Sequence, residues 1–306
     1  MLLKFAVKDF MDDRAFRNVS AKTLDNYRRT LGEFHSYCVA NGVVNVSDVR
    51  PGTVKGYLLM CQQERGNSPS SVNHKLQNLR VFFNYLQQTE LVDAKGNPTK
   101  AIKPVKAPTT VDVFTDQQIK EMLGYFQRIK GRDKTLYAYR DYAMIVVLLG
   151  TGMRLGELVN LRWDDVDFVN HAITVLGKKR EQSSIPMTAK LRKELSEYRV
   201  FVDDVFKKRP GYVFTDRSGA KMTENGVKCI FKRLKEVMNF GGVRLSAHTF
   251  RHTFASRMVK AGADAFTVQK MLRHTAISMT MRYVNLFGTA LKDQNEKFNP
   301  LNGMDL

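Results

Sequence analysis

The chain has 306 residues, enough for two domains, and with 43% hydrophobic residues it can fill a sizeable core. Forty-nine lysines and arginines against 30 acids give a net charge of +19. An excess this large points to a polyanion, above all nucleic acid, because basic side chains that neutralise phosphates release condensed counterions. Other classes recede: no apolar run is long enough for a membrane helix, and the N-terminal "MLLKFAVKDFMDD" lacks a signal-peptide core. Cys38, Cys61 and Cys229 lie far apart with no CxxC pair, which argues against a zinc site or a disulfide framework. A cytoplasmic location is expected.

Residues 1–103 read as a helical domain of short amphipathic segments. Ser20 is placed to cap a helix whose stripe is Leu24, Tyr27, Leu31, Phe34 and Cys38. A second helix is predicted at 53–63, entered through Pro51-Gly52. A third follows Ser68-Pro69, with Val72, Leu76, Leu79, Phe83 and Leu86 on one face. Its other face carries Asn73, Lys75, Gln77 and Arg80, for which water and phosphate are both open; Lys75 and Arg80 are the candidate DNA contacts. "GNPTKAIKPVKAPTT" (96–110) has three prolines and no apolar period, so a linker is drawn at 104–111.

The segment 112–306 restarts with a capping box at Thr115 and Gln118. "YAMIVVLLG" (142–150) is a buried helix. "AITVL" (172–176) and "SSIPM" (183–187) flank a basic turn and predict a hairpin. Further helices are expected at 189–204, 223–238, 247–261 and 264–272. The fold class is therefore mainly α with a small β-sheet. Both halves carry a net positive charge, which suits a clamp around a polyanion.

Three constellations carry chemistry. His248, Arg251 and His252 stand at i, i+3 and i+4, so a helix presents them on one face. A guanidinium beside a partly buried face calls for an anion, and phosphate is the natural candidate. Upstream, "TGMRLGELVNLRW" puts Arg154 between two glycines, with Glu157 three residues on and close enough to orient it. "LGKKREQ" sets Lys178, Lys179 and Arg180 at the hairpin tip, where a cation could approach a phosphate or simply be solvated. Last, Tyr283 ends "SMTMRY". A phenol is a weak nucleophile at its ordinary pKa near 10, and surrounding cations would activate it. Packing a terminal helix is the commoner role of such a tyrosine.

These residues resemble the tyrosine recombinase (phage integrase) family over nearly the whole chain, with the nearest match in 112–285. "TGMRLGELVNLRW", "HTFRHTFAS" and "LRHTAISMTMRYVN" look like its first arginine box, its His-x-x-Arg box and the box in which a histidine precedes the nucleophilic tyrosine by nine residues. The resemblance implies a site-specific DNA recombinase that cleaves and rejoins DNA through a 3′-phosphotyrosyl link, without metal or ATP. Arg154 and Arg251 would hold the scissile phosphate, His248 would assist proton transfer, His274 would donate to the phosphate and Tyr283 would attack. Lys178 would protonate the leaving 5′ oxygen, with Lys179 a close competitor; Glu157 and His252 would support. It also implies a helical core-binding domain that closes on DNA opposite the catalytic domain, and a homo-tetramer on double-stranded recombination sites, as in mobile elements. One departure is visible: "LRH" stands where the family usually has Leu-Gly-His, so Arg273 needs a different backbone or adds a phosphate contact.

Two other readings share the sequence. A type IB topoisomerase-like nicking and closing cycle would use the same chemistry, and a basic DNA-binding regulator would need none of it. A nicked suicide substrate separates the regulator, which forms no covalent adduct.

Overall fold

A computed structural model describes residues 1–93, 96–106, 111–176 and 182–287. The chain divides into two compact units, Met1–Thr109 and Thr110–Leu306. Among the described residues, no helix is long and apolar enough to cross a membrane.

The first unit is built from helices α1 (Leu3–Phe16), α2 (Ala21–Ala40), α3 (Pro51–Gln63) and α4 (Pro69–Gln88). Ser20 and Ser68 cap α2 and α4, each accepting from a backbone N–H three residues on at 3.3 Å. The predicted stripes meet in one core, where Phe10, Leu31, Phe34, Tyr57, Leu79 and Phe83 are buried. The polar face of α4 is used inside this unit. Asn73 pairs with the backbone of Val105 in both directions at 2.8 Å. Arg80 donates to the Ile102 carbonyl at 2.6 Å, and Lys75 is paired with Glu33. The proline-containing segment before 107 is thus strapped to α4 through Ile102 and Val105, an arrangement its lack of periodicity did not suggest.

The second unit opens with α5 (Asp116–Asp133), begun by the reciprocal Thr115–Gln118 box at 3.0 and 3.2 Å. The buried helix α6 (Leu136–Thr151) ends at Gly152, whose φ of 58° lies in the left-handed region. Short α7 (Leu155–Asn160) leads to an antiparallel sheet of β1 (Val166–Asp167), β2 (Ala172–Leu176) and β3 (Gln182–Pro186), in the order β1-β2-β3. Ile173 faces Ile185 across the predicted hairpin, and β1 is a strand the sequence did not announce. Helices α8 (Ala189–Val205), α9 (Glu224–Met238), α10 (Ala247–Lys260), α11 (Ala265–Leu272) and α12 (Ser278–Phe287) complete the unit. Phe250 of α10 anchors it, its ring 4.8 Å from Phe114 and 5.7 Å from Phe231.

Candidate active site

Three chain bends bring the site together: the end of α6, the start of α10 and the turn from α11 into α12. Ser246 caps α10 by accepting from Thr249 N–H at 3.2 Å, which sets the helical face that carries His248, Arg251 and His252. Arg251 is only 5% exposed. It donates to the carbonyl of Gly152 at 2.9 Å and to that of Leu272, so it ties the α6 bend to the α11 bend. Burial, with Arg154 and Arg273 adding repulsion, lowers its pKa to about 9, still charged at neutral pH.

Arg154 precedes α7. Its Nη1 donates to Glu157 at 2.7 Å and its Nη2 to the Arg273 carbonyl at 3.1 Å, while Glu157 also accepts from the Arg154 backbone N–H at 2.8 Å. The orienting role expected of Glu157 thus has matching geometry. Its carboxyl is pushed up by burial, yet Arg273 and Arg154 outweigh that and hold it below the usual range. Arg273 reaches the same carboxylate, Nη2 to Oε2 at 2.7 Å. Its φ of 54° keeps the left-handed bend that glycine would adopt freely. Two of its side-chain nitrogens serve the Met271 carbonyl and Glu157.

Tyr283 on α12 is fully buried, packed with Ala255, Val259, Val268 and Leu272. Its hydroxyl lies 2.7 Å from His252 Nδ1 and accepts from Arg282 Nη2 at 3.0 Å. His274 bonds Thr280 through Nδ1 at 2.8 Å, and its ring lies parallel to Tyr283 at 6.3 Å between centroids. His248 stands 6.5 Å from His252, ring to ring.

The field is one-sided. Burial first, then Arg282 and other cations, lowers His252 to about 4; burial, then Arg251 and Arg154, lowers His274 to about 3. His248 is lowered by burial and then by Arg251, Arg244, Arg154 and Arg282. Neutral imidazoles amid five arginines make a site whose repulsion an arriving anion would relieve. A neutral His252 carries one ring proton, so its Nδ1 accepts from the Tyr283 hydroxyl when that proton sits on Nε2 and donates to it when the proton sits on Nδ1.

Of the residues singled out from sequence, Arg154, Glu157, His248, Arg251, His252, His274 and Tyr283 gather here. Lys178, Lys179 and Arg180 lie outside the described residues, and Lys75 and Arg80 belong to the first unit. Sequence reasoning passed over Arg282, Arg244 and Thr280. Arg282 had a faint signal in its adjacency to Tyr283; the other two had none.

Comparison with known proteins bears on the family and the fold. The sequence model of the phage integrase family matches residues 112–289, and that of the phage integrase N-terminal SAM-like domain matches 7–93. Tyrosine recombinase XerD of Listeria monocytogenes serotype 4b (strain F2365) is 31% identical, over 93% of this chain and 94% of the relative. Tyrosine recombinase XerC of Oceanobacillus iheyensis is 28% identical, over 93% and 92%. The fold is similar to that of the Tn1549 transposon integrase in complex with transposon right end DNA, at a TM-score of 0.78, 22% identity and coverage of 97% and 98%. It is also similar to the XerH site-specific recombinase bound to palindromic difH substrate, at 0.73, 18% identity and coverage of 92% and 80%. The chain belongs to the phage integrase family of tyrosine recombinases.

Proposed function

We propose that this chain is a site-specific DNA recombinase acting on double-stranded recombination sites through the residues gathered around Tyr283. The phenol oxygen attacks phosphorus and the bond to the 5′ oxygen breaks, leaving a 3′-phosphotyrosyl link and a free 5′ hydroxyl. Arg154 and Arg251 hold the non-bridging oxygens and neutralise charge that spreads over them in the transition state. His274 donates to the same phosphate from Nε2. The phenol proton leaves toward an imidazole, His252 or His248, and Lys178 or Lys179 returns a proton to the leaving oxygen. The link conserves phosphodiester energy, so rejoining by the 5′ hydroxyl needs no ATP. A homo-tetramer on paired sites inside the cell completes this reading.

The observation that carries it is the Tyr283 hydroxyl held 2.7 Å from His252, within one cluster that includes Arg251 and His274. The test is covalent capture on a library of nicked duplexes with randomised cores, followed by sequencing of the attached ends. Wild-type chain is expected to enrich particular duplexes as a phosphotyrosyl adduct, whereas Tyr283→Phe binds them and forms none. An adduct that survives Tyr283→Phe would overturn the nucleophile, and no adduct from wild type would overturn the reading.

A further inference from the structure

Arg273 occupies a costly position. It is a non-glycine residue at φ 54° and only 7% exposed on its side chain, with its Nε buried and unpartnered. A side chain held at such expense is engaged in something. Its Nη2 meets Glu157 Oε2 at 2.7 Å, Glu157 Oε1 meets Arg154 Nη1 at 2.7 Å, and Arg154 Nη2 returns to the Arg273 carbonyl at 3.1 Å. These three contacts close a ring between the first arginine box and the bend that precedes His274.

We propose that Arg273 is a positioning residue for Arg154, acting through Glu157; this rests on the reading that Arg154 holds the scissile phosphate. A carboxylate paired with Arg154 alone fixes its direction but cancels its charge. With Arg273 sharing the carboxylate, two positive charges face one negative, so a full positive charge stays available to the phosphate. Glu157 orients, and Arg273 keeps that orientation from neutralising the group it orients. Arg273 does not itself contact the phosphate.

Arg273→Gly is the clean variant, because glycine accepts this φ without strain. The probe is the nicked duplex captured by wild-type chain. DNA affinity and its salt dependence should stay within about twofold. Adduct formation near neutral pH should slow by about tenfold to a hundredfold, the scale for a misplaced catalytic group. The charged groups facing Glu157 are Arg154 before α7 and Arg273 after α11, with Arg251 of α10 beyond them. Losing Arg273 therefore moves the acid limb of the rate profile to higher pH, and Arg273→Lys moves it back with most of the rate. His274 also loses a cationic neighbour, so the limb is tested again in a Glu157→Gln background, where Arg273→Gly should change the rate by less than about twofold.

An unchanged rate and profile in Arg273→Gly would overturn the inference. So would a pH-independent loss that lysine does not recover, full additivity with Glu157→Gln, or a loss of affinity with a shallower salt slope, which marks a direct phosphate contact. Each of these leaves the wild-type adduct intact. Only its absence would count against the recombinase reading, and it would take this inference with it.

Discussion

His252 and Tyr283, separated by 31 residues in sequence, share a hydrogen bond of 2.7 Å between the imidazole Nδ1 and the phenol oxygen. The histidine that sequence assigned to a supporting role is thus the one in contact with the nucleophile, and its protonation state matters to the fold as well as to the chemistry.

His252 and His274 sit far below the ordinary histidine pKa, at about 4 and about 3, so in the folded chain both stay neutral well into acid. An unfolded chain takes up those protons near pH 6.5. Between the two values the unfolded state binds more protons, so stability falls as pH drops below 6.5 and is complete above it. Each group contributes at most about 1.4 kcal/mol per pH unit, less for the partly exposed His252. Urea unfolding from pH 7.5 to 4.5 should give a shallower slope for His252→Gln than for wild type; equal slopes would refute the linkage.

Thr280 is fully buried and its hydroxyl shares a hydrogen bond of 2.8 Å with His274 Nδ1. Thr280→Val keeps the shape and removes the bond, which leaves the ring free to turn its Nε2 away from the phosphate. Adduct formation should drop by about tenfold, with stability lower by about 1–3 kcal/mol from the unpaired nitrogen. Single-turnover kinetics beside thermal melting would check both, and an unchanged rate would remove Thr280 from the site.

At Gly152 an added Cβ would lie 2.6 Å from the Phe254 ring and 3.1 Å from Leu272, at a φ of 58°. Gly152→Ala should therefore cost about 1–3 kcal/mol. Because the Gly152 carbonyl receives Arg251, the same change should slow cleavage. A variant as stable and as active as wild type would show that this bend tolerates displacement.

Glu157→Ala leaves Arg154 and Arg273 without their shared carboxylate. Breaking a buried pair in this way costs about 3–5 kcal/mol, and the loss should appear in the urea midpoint of unfolding. Glu157→Gln, which still accepts a hydrogen bond, should lose less. Equal losses would mean that the charge of Glu157, which both variants remove, carries the whole contribution and the hydrogen bond kept by glutamine adds nothing.

Much of this was legible in the sequence because it is local. Caps at Ser20 and Ser68, the Thr115–Gln118 box and the apolar stripes are written in spacings of three and four, and the helices follow them. The face that holds His248, Arg251 and His252 is legible for the same reason. What escaped depends on contacts between distant segments. Nothing near residue 273 announces Glu157, 116 residues away, and nothing near Asn73 announces Val105. The α4 cations looked free because their partners, Glu33 and the Ile102 carbonyl, lie 42 and 22 residues off.

The carbonyls of Leu272 and Arg273, neighbours on one bend, receive the guanidiniums of Arg251 and Arg154, and the next residue is His274. Two successive peptide groups are thus a common mooring for three side chains drawn from separate stretches of sequence. Disturb that mooring once and all three drift together, so a second substitution among them has little left to remove. Genetic combinations of such changes should look epistatic rather than cumulative, with the double variant scarcely worse than the more severe single one.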